Sequence, residues 1–387
     1  MSQVRVLLLF SHLHKGGMER VASNLSRALP TAWKQYLGYF GTEHPEFEFR
    51  ASAVDFGIPG GREVGSARKF FSFVRRFNAV RRFVQSEAID LVISFGEAAN
   101  VINLAARHAA KTLITVHTPV RRYLDGEGRW GRIYGYAVRH LYPRADLLVA
   151  VSAGIVSQLE RDFAYCGRSR VIPNLYHRSE IEALARVELP PEYQTIFDHP
   201  VILNVGSLGP EKGQDDLLRA FALVRRSLAE LRLVILGRGP LRASLEALAR
   251  DLSISEHVYF VDFDPNPYRY MSRAAVFVLT SHFEGFANVL VESMLCGTPV
   301  ISVDCEFGPR EILEDGKWGI LVAGRSPEAI AQSIMAVAQD DVMRRRYADL
   351  AKARAAAYEA DQIVPLWEQA VRQLLVEASV PGSGACS

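Results

Sequence analysis

"VRVLLLFSHLHKGGMERVASNLSRAL" (residues 4–29) joins a seven-residue run, apolar except for Arg5, to a helical pattern through a turn that contains Gly16 and Gly17. Such a run is too short for a buried helix but suits a strand covered on both faces, whereas Val21, Ala22, Leu25, Ala28 and Leu29 recur at helical spacing. Strand, glycine turn and helix make one βα unit. The alternation repeats, with strands expected at 4–10, 35–40, 90–94, 112–116, 146–151, 170–172, 201–205, 231–236, 257–261, 275–279 and 299–303. Amphipathic segments at 19–29, 66–86, 97–109, 213–228, 241–252 and 288–296 separate them. Such alternation predicts an α/β protein with parallel, doubly wound sheets. The chain's 387 residues exceed what one core organises, so two domains are expected. We place the first at 1–178, a linker at 179–199, the second at 200–355, and a C-terminal helix with a flexible tail at 356–387, the helix returning toward the first domain. In open parallel sheets ligands bind beyond the carboxyl ends of the strands, which directs attention to the loops that follow them.

Composition narrows the function. Apolar residues make up 49% and charged residues 23%, as in ordinary globular proteins. No stretch is long and apolar enough for a membrane span and no signal-peptide pattern opens the chain, so a cytoplasmic location is expected. Cys166, Cys296, Cys305 and Cys386 are scattered and suggest reduced thiols rather than a zinc site. Residues 1–175 carry 24 Lys+Arg against 14 Asp+Glu, while the remainder is acidic. The first half therefore expects an anionic partner, such as a phosphorylated acceptor or a membrane surface. Nucleic acid is not expected, because these cations belong to no recognisable nucleic-acid-binding module.

The most informative chemistry is "HFEGFANVLVESMLCGTPVIS" (282–302). Glu284 in a loop and Glu292 two turns into a helix could hold two parts of one hydroxyl-rich ligand, with the first helical amides facing its phosphates. From spacing alone, Glu284 as a helix cap and Glu292 as a solvated face residue remain the alternative. The wider pattern is more specific: it resembles the C-terminal motif of retaining GT-B glycosyltransferases of family 4, also called glycosyl transferases group 1. "ADLLVAVSAGI" (145–155), "VIPN" (171–174), "LGRGPLRASLE" (236–246), "NPYRYMSRAAVFVLTS" (266–281) and "FGPREILEDGKWGILV" (307–322) extend the resemblance along the chain.

The resemblance implies two Rossmann-like domains facing each other across a cleft, the first for the acceptor and the second for a nucleotide sugar. Glu284 then contacts the transferred sugar and Glu292 the ribose. Phe286, Ala287 and Asn288 form the turn whose amides hold sugar hydroxyls, and Val289 and Leu290 lie beside the diphosphate. Lys212 matches the cation for that diphosphate. Ser207 stands where the family often has arginine, which leaves Arg238 or Arg310 as a replacement. Gly16 and Gly17 approach the donor from the first domain, with His14 and Lys15 near the acceptor. His117, at the end of a strand, faces the sugar in related sequences, and Ser94, Gly96 and Glu97 edge the acceptor pocket. Arg121 and Arg122 extend the basic surface there. The implied activity is retaining transfer of a hexose or N-acetylhexosamine from a UDP- or GDP-sugar to a saccharide, lipid-linked or in surface polysaccharide. No cofactor or metal is expected, since Lys212 and helix termini supply positive charge, no acidic pair sits in a convincing site context and metal ligands do not cluster. A sugar-nucleotide epimerase or hydrolase on this fold, or a catalytically silent partner subunit, is the competing reading.

The segment 66–86 is basic and amphipathic: Phe70, Phe73, Phe77, Val80 and Val84 fall near one face and Arg68, Lys69, Arg75, Arg76, Arg81 and Arg82 lie on and around the other. This suits either a helix resting on anionic lipid at the inner face of the plasma membrane or a domain helix with its stripe in the core.

Overall fold

The computed structural model describes residues 3–13, 16–41, 47–58, 66–126 and 129–376, and it divides into two units: Met1–Leu175 with Ala360–Ser387, and Tyr176–Glu359. His14 and Lys15 lie outside the described residues.

The first unit holds β1 (Arg5–Phe10), β2 (Lys34–Tyr39), β3 (Ser52–Asp55), β4 (Leu91–Phe95), β5 (Lys111–Val116), β6 (Leu147–Ala150) and β7 (Ser169–Val171), in the order β3-β2-β1-β4-β5-β6-β7. β1 explains why the run is wholly apolar after Arg5. Val6, Leu8 and Phe10 enter a core on one face, with Leu25 of the helix Gly17–Ala28, and Leu7 and Leu9 enter a second core on the other face. Successive side chains point to opposite faces, so a strand covered on both sides must be apolar throughout.

The second unit holds β8 (Val201–Val205), β9 (Arg232–Leu236), β10 (Val258–Val261), β11 (Val276–Leu279), β12 (Val300–Val303) and β13 (Ile320–Val322), ordered β10-β9-β8-β11-β12-β13. The ladders of both sheets are parallel. Each strand order reverses beside its first strand, at β1/β4 and at β8/β11. That is where an open parallel sheet leaves a crevice for ligand.

The structure bears on several of these expectations. β3 and β13 were not foreseen, and both are short edge strands. The segment 179–199 is no bare linker: it carries the helices Arg178–Ala185 and Pro191–Gln194 and belongs to the second unit. The helix Ala360–Val376 lies in the first unit, where Ile363, Trp367, Ala370, Val371 and Leu374 complete the core around β1. The helix Ser66–Ser86 turns its stripe inward: Val80 and Val84 are buried, and Phe73 and Phe77 pack against the same cluster. Arg76 is 6% exposed, donates to the Ile58 carbonyl at 3.1 and 3.2 Å, and lies over the Phe40 ring. The side chain of Phe70 is outside the described residues.

Candidate functional site

In the second unit the site grows from two loops at the β8/β11 reversal. The first runs from β8 through a short 3-10 turn, Pro210–Lys212, into the helix Gln214–Arg225. The second leads from β11 into the helix Asn288–Leu295. Three hydrogen bonds clamp the loops together or fix the carboxylate between them. The His282 amide donates to the Glu211 carbonyl at 2.8 Å, the Thr280 hydroxyl to the Lys212 carbonyl at 2.9 Å, and the Ser281 hydroxyl to Glu284 Oε1 at 2.6 Å. Gly213 sits at the junction with φ +60, and a Cβ there would lie 2.3 Å from the Thr280 carbonyl oxygen. Only glycine fits so close an approach.

The clamp brings Lys212 Nζ to 2.7 Å from Glu284 Oε1, both side chains being mostly buried. Burial opposes the ammonium, but the Glu284 carboxylate outweighs it and holds the Lys212 pKa above its usual value. A fixed cation and an acceptor carboxylate thus share one point, each able to exchange its partner for a ligand group.

Glu284 does not cap the following helix, whose N-terminus has no side-chain cap, and Glu292 is 3% exposed. The cap-and-surface alternative therefore fails on both counts. Glu292 Oε1 accepts from the Tyr268 hydroxyl at 3.4 Å, and burial with the Glu292 charge pushes the Cys296 thiol up to about 12. Phe286 and Ala287 are buried, the Phe286 ring standing edge-on to Tyr358, so only their backbone can face a ligand. Ala287 itself takes the left-handed conformation at φ 64. Asn288 accepts at 2.7 Å from the Tyr176 hydroxyl, Val289 is half-buried, and Leu290 is fully buried. Ser207 is exposed and donates to Glu211 at 3.0 Å. Of the candidate replacement cations, Arg310 is held by Asp304 and Asp315, while Arg238 is exposed beside the Phe263 ring. The fold also assembles Asp215, Asp216 and His282, whose ligand-type atoms lie within 4.8 Å of one another, a grouping hidden by their separation in sequence.

In the first unit, Gly16 is the uncapped start of the helix Gly17–Ala28, and a Cβ there would meet the Glu19 carboxylate at 2.8 Å. Gly96 (φ 84) ends β4 so close to this helix that its Cβ would touch Met18. Glu97 follows, 7% exposed, and burial pushes its carboxyl up to about 7. Ser94 corrects the pocket-edge expectation. It is fully buried, donates to Asn100 at 2.7 Å and accepts from Asn103 at 3.1 Å, so its hydroxyl serves the interior. Arg121 and Arg122 are exposed on the helix Val120–Gly126, with Arg121 3.7 Å from Asp162.

The tautomer of His117 follows from its neighbours. Thr115 Oγ1 gives its hydrogen to the Ser94 carbonyl at 2.9 Å, so its oxygen accepts from His117 Nε2 at 2.9 Å. Nδ1 is then a bare acceptor, sealed from solvent without a partner among the described residues. The ring lies against Phe95 and lines a cavity of about 10 Å³ with Asn174 and Trp367, room for about one water. Burial lowers the His117 pKa to about 4, so the imidazole is neutral near pH 7. Sequence reasoning missed Ser281, Thr280, Tyr268 and Tyr176. The first two could have been sought in the loop after β11, whereas no local signal ties Tyr176 to a residue 112 positions away.

Both halves of the chain match known families. The profile described as Glycosyltransferase Family 4 covers residues 15–179, and that described as Glycosyl transferases group 1 covers 188–354. The chain belongs to this glycosyltransferase family and has the GT-B fold. Among curated relatives it is 29% identical, over 91% of its own length and 94% of the relative's, to the N-acetylgalactosamine-N,N'-diacetylbacillosaminyl-diphospho-undecaprenol 4-alpha-N-acetylgalactosaminyltransferase of Campylobacter jejuni. Among solved structures it resembles sucrose-phosphate synthase from Thermosynechococcus elongatus (TM-score 0.78, 20% identity, 96% and 99% of the two chains). It also resembles Anabaena HepE in complex with UDP (TM-score 0.76, 18% identity, 96% and 100%). At these identities the two structures speak for the fold.

Proposed function

We propose that the chain is a retaining, metal-independent glycosyltransferase that moves a hexose or N-acetylhexosamine from a UDP- or GDP-sugar to a lipid-linked saccharide. The observation that carries this reading is the Lys212–Glu284 pair at the carboxyl ends of adjacent strands, beside the uncapped helix Asn288–Leu295. On binding, Lys212 and the free amides of that helix take the diphosphate, where negative charge grows as the glycosidic bond breaks. Glu284, positioned by Ser281, turns to sugar hydroxyls, and Glu292 takes the ribose. Arg238 is free to approach the diphosphate where Ser207 replaces an arginine. His117 Nδ1, a neutral acceptor, takes a sugar hydroxyl on opening of its small cavity. The leaving phosphate, on the same face as the incoming hydroxyl, receives its proton, which retains configuration without a protein nucleophile. The UDP bound by Anabaena HepE and the undecaprenol-linked acceptor named for the Campylobacter enzyme support the donor and acceptor classes.

The test is turnover of UDP- and GDP-sugars with membrane-extracted acceptors. Glu284→Gln should lower kcat by roughly 10²–10³, and Glu292→Ala should chiefly raise the donor KM. Turnover should persist in EDTA, and the product should keep the donor's anomeric configuration. Unchanged turnover in Glu284→Gln would overturn the assignment, and a product formed from donor alone would point to a hydrolase or epimerase.

A further inference from the structure

The helix Arg129–Leu141, "RWGRIYGYAVRHL", contains no Asp or Glu. Its inner face is closely packed: a Cβ on Gly131 would lie 2.1 Å from the Leu124 carbonyl oxygen, a Cβ on Gly135 would touch Leu124 and Phe163, and Val138 is 1% exposed. The glycines let this helix press against Val120–Gly126 and so fix its rotation. Ile133 and Tyr136 are thereby held in solvent at 57% and 70% exposure. Arg132 and, two turns further on, Arg139 and His140 are exposed on the same face, and neither arginine has an ion-pair partner among the described residues. Tyr136 lies against the His140 ring at 4.2 Å.

We infer that this face, rather than the helix Ser66–Ser86, is where the protein meets an anionic lipid bilayer. An isoleucine and a tyrosine one turn apart enter the acyl–headgroup boundary, and the flanking arginines meet lipid phosphates. Charge decides between occupants. A second copy of this chain would set arginine against arginine, whereas an anionic leaflet supplies counter-charges along the whole face. The inference deepens the reading of a lipid-linked acceptor and rests on it for its purpose, yet its test needs no donor and no turnover. Sugar transfer without vesicle binding therefore sinks the inference alone, and vesicle binding without transfer sinks the functional reading alone.

The experiment is co-sedimentation of the full chain with vesicles of phosphatidylcholine alone or with about one-third phosphatidylglycerol, an anionic fraction whose surface potential attracts basic residues. Binding is expected only to the anionic vesicles and should weaken with salt. Arg132→Ala with Arg139→Ala, and separately Ile133→Ser with Tyr136→Ser, should each lower the partition coefficient about tenfold or more, with unchanged melting. Arg81→Ala with Arg82→Ala, on the solvated face of Ser66–Ser86, should leave it unchanged. The inference is overturned if wild type ignores anionic vesicles, if the Arg81/Arg82 pair carries the binding, or if both face variants bind normally. It is equally overturned if Ile133→Ser with Tyr136→Ser abolishes a dimer while vesicle binding is absent.

Discussion

At the scale of single residues, two buried ionisable groups give the first unit opposite responses to pH. Burial raises Glu97 from 4.5 to about 7, so the folded state holds its proton more tightly than the unfolded chain does. Its contribution is complete below pH 4.5 and is lost as pH rises to 7, a cost of about 3 kcal/mol at higher pH. Glu97→Gln should therefore raise the thermal midpoint over wild type at pH 8, and the gap should close by pH 5. A gap that does not vary with pH would contradict this account. His117 acts in the other direction: lowered from 6.5 to about 4, it favours folding above pH 6.5 and loses that contribution as pH falls toward 4. Near neutrality it is an uncharged hydrogen-bonding group.

At the scale of elements, the site depends on how closely two loops approach. Gly213 opens the helix Gln214–Arg225 with φ +60, a conformation that costs other residues roughly 1–2 kcal/mol, and its missing side chain admits the Thr280 carbonyl. Gly213→Ala should destabilise by at least about 2 kcal/mol and, in the folded fraction, weaken donor binding by moving Lys212 away from Glu284. Chemical denaturation with donor titration would check both. This close contact was not legible in sequence, where Thr280 lies 68 positions from Lys212. Helix placement was legible, because Ser66–Ser86, Gln214–Arg225 and Asn288–Leu295 follow their apolar periodicity closely. β3 was not, since its residues are largely exposed and carry no alternating pattern. The basic helix Ser66–Ser86 shows the limit of periodicity: a stripe facing a core and a stripe facing lipid look alike until the neighbouring elements are known.

At the scale of the whole molecule, the chain's last described helix belongs to the unit in which the chain begins. Trp367, 6% exposed, packs among residues of β1 and the helix Gly17–Ala28, so the first unit is not finished until residue 376 is in place. Trp367→Ala should cost about 3–5 kcal/mol, read as earlier melting and faster proteolysis within residues 1–175, with the second unit's fragment surviving. Equal loss from both units would refute this.

The sequence by itself determined the class: apolar runs and helical periods alternate as parallel α/β sheets require, and the motif around Glu284 and Glu292 carried the family. It also supplied the chemistry of Lys212, Glu284 and Glu292, because residue type and the loop after a strand can be read locally. Only the tertiary structure decided which groups meet and which face water. It joined Lys212 to Glu284, put Ser94 in the interior, and turned the aromatic stripe of Ser66–Ser86 into the core while leaving Ile133 and Tyr136 outside. The physical reason is that burial and pairing depend on what packs against a residue from distant parts of the chain, and a periodic pattern records only that a face is apolar.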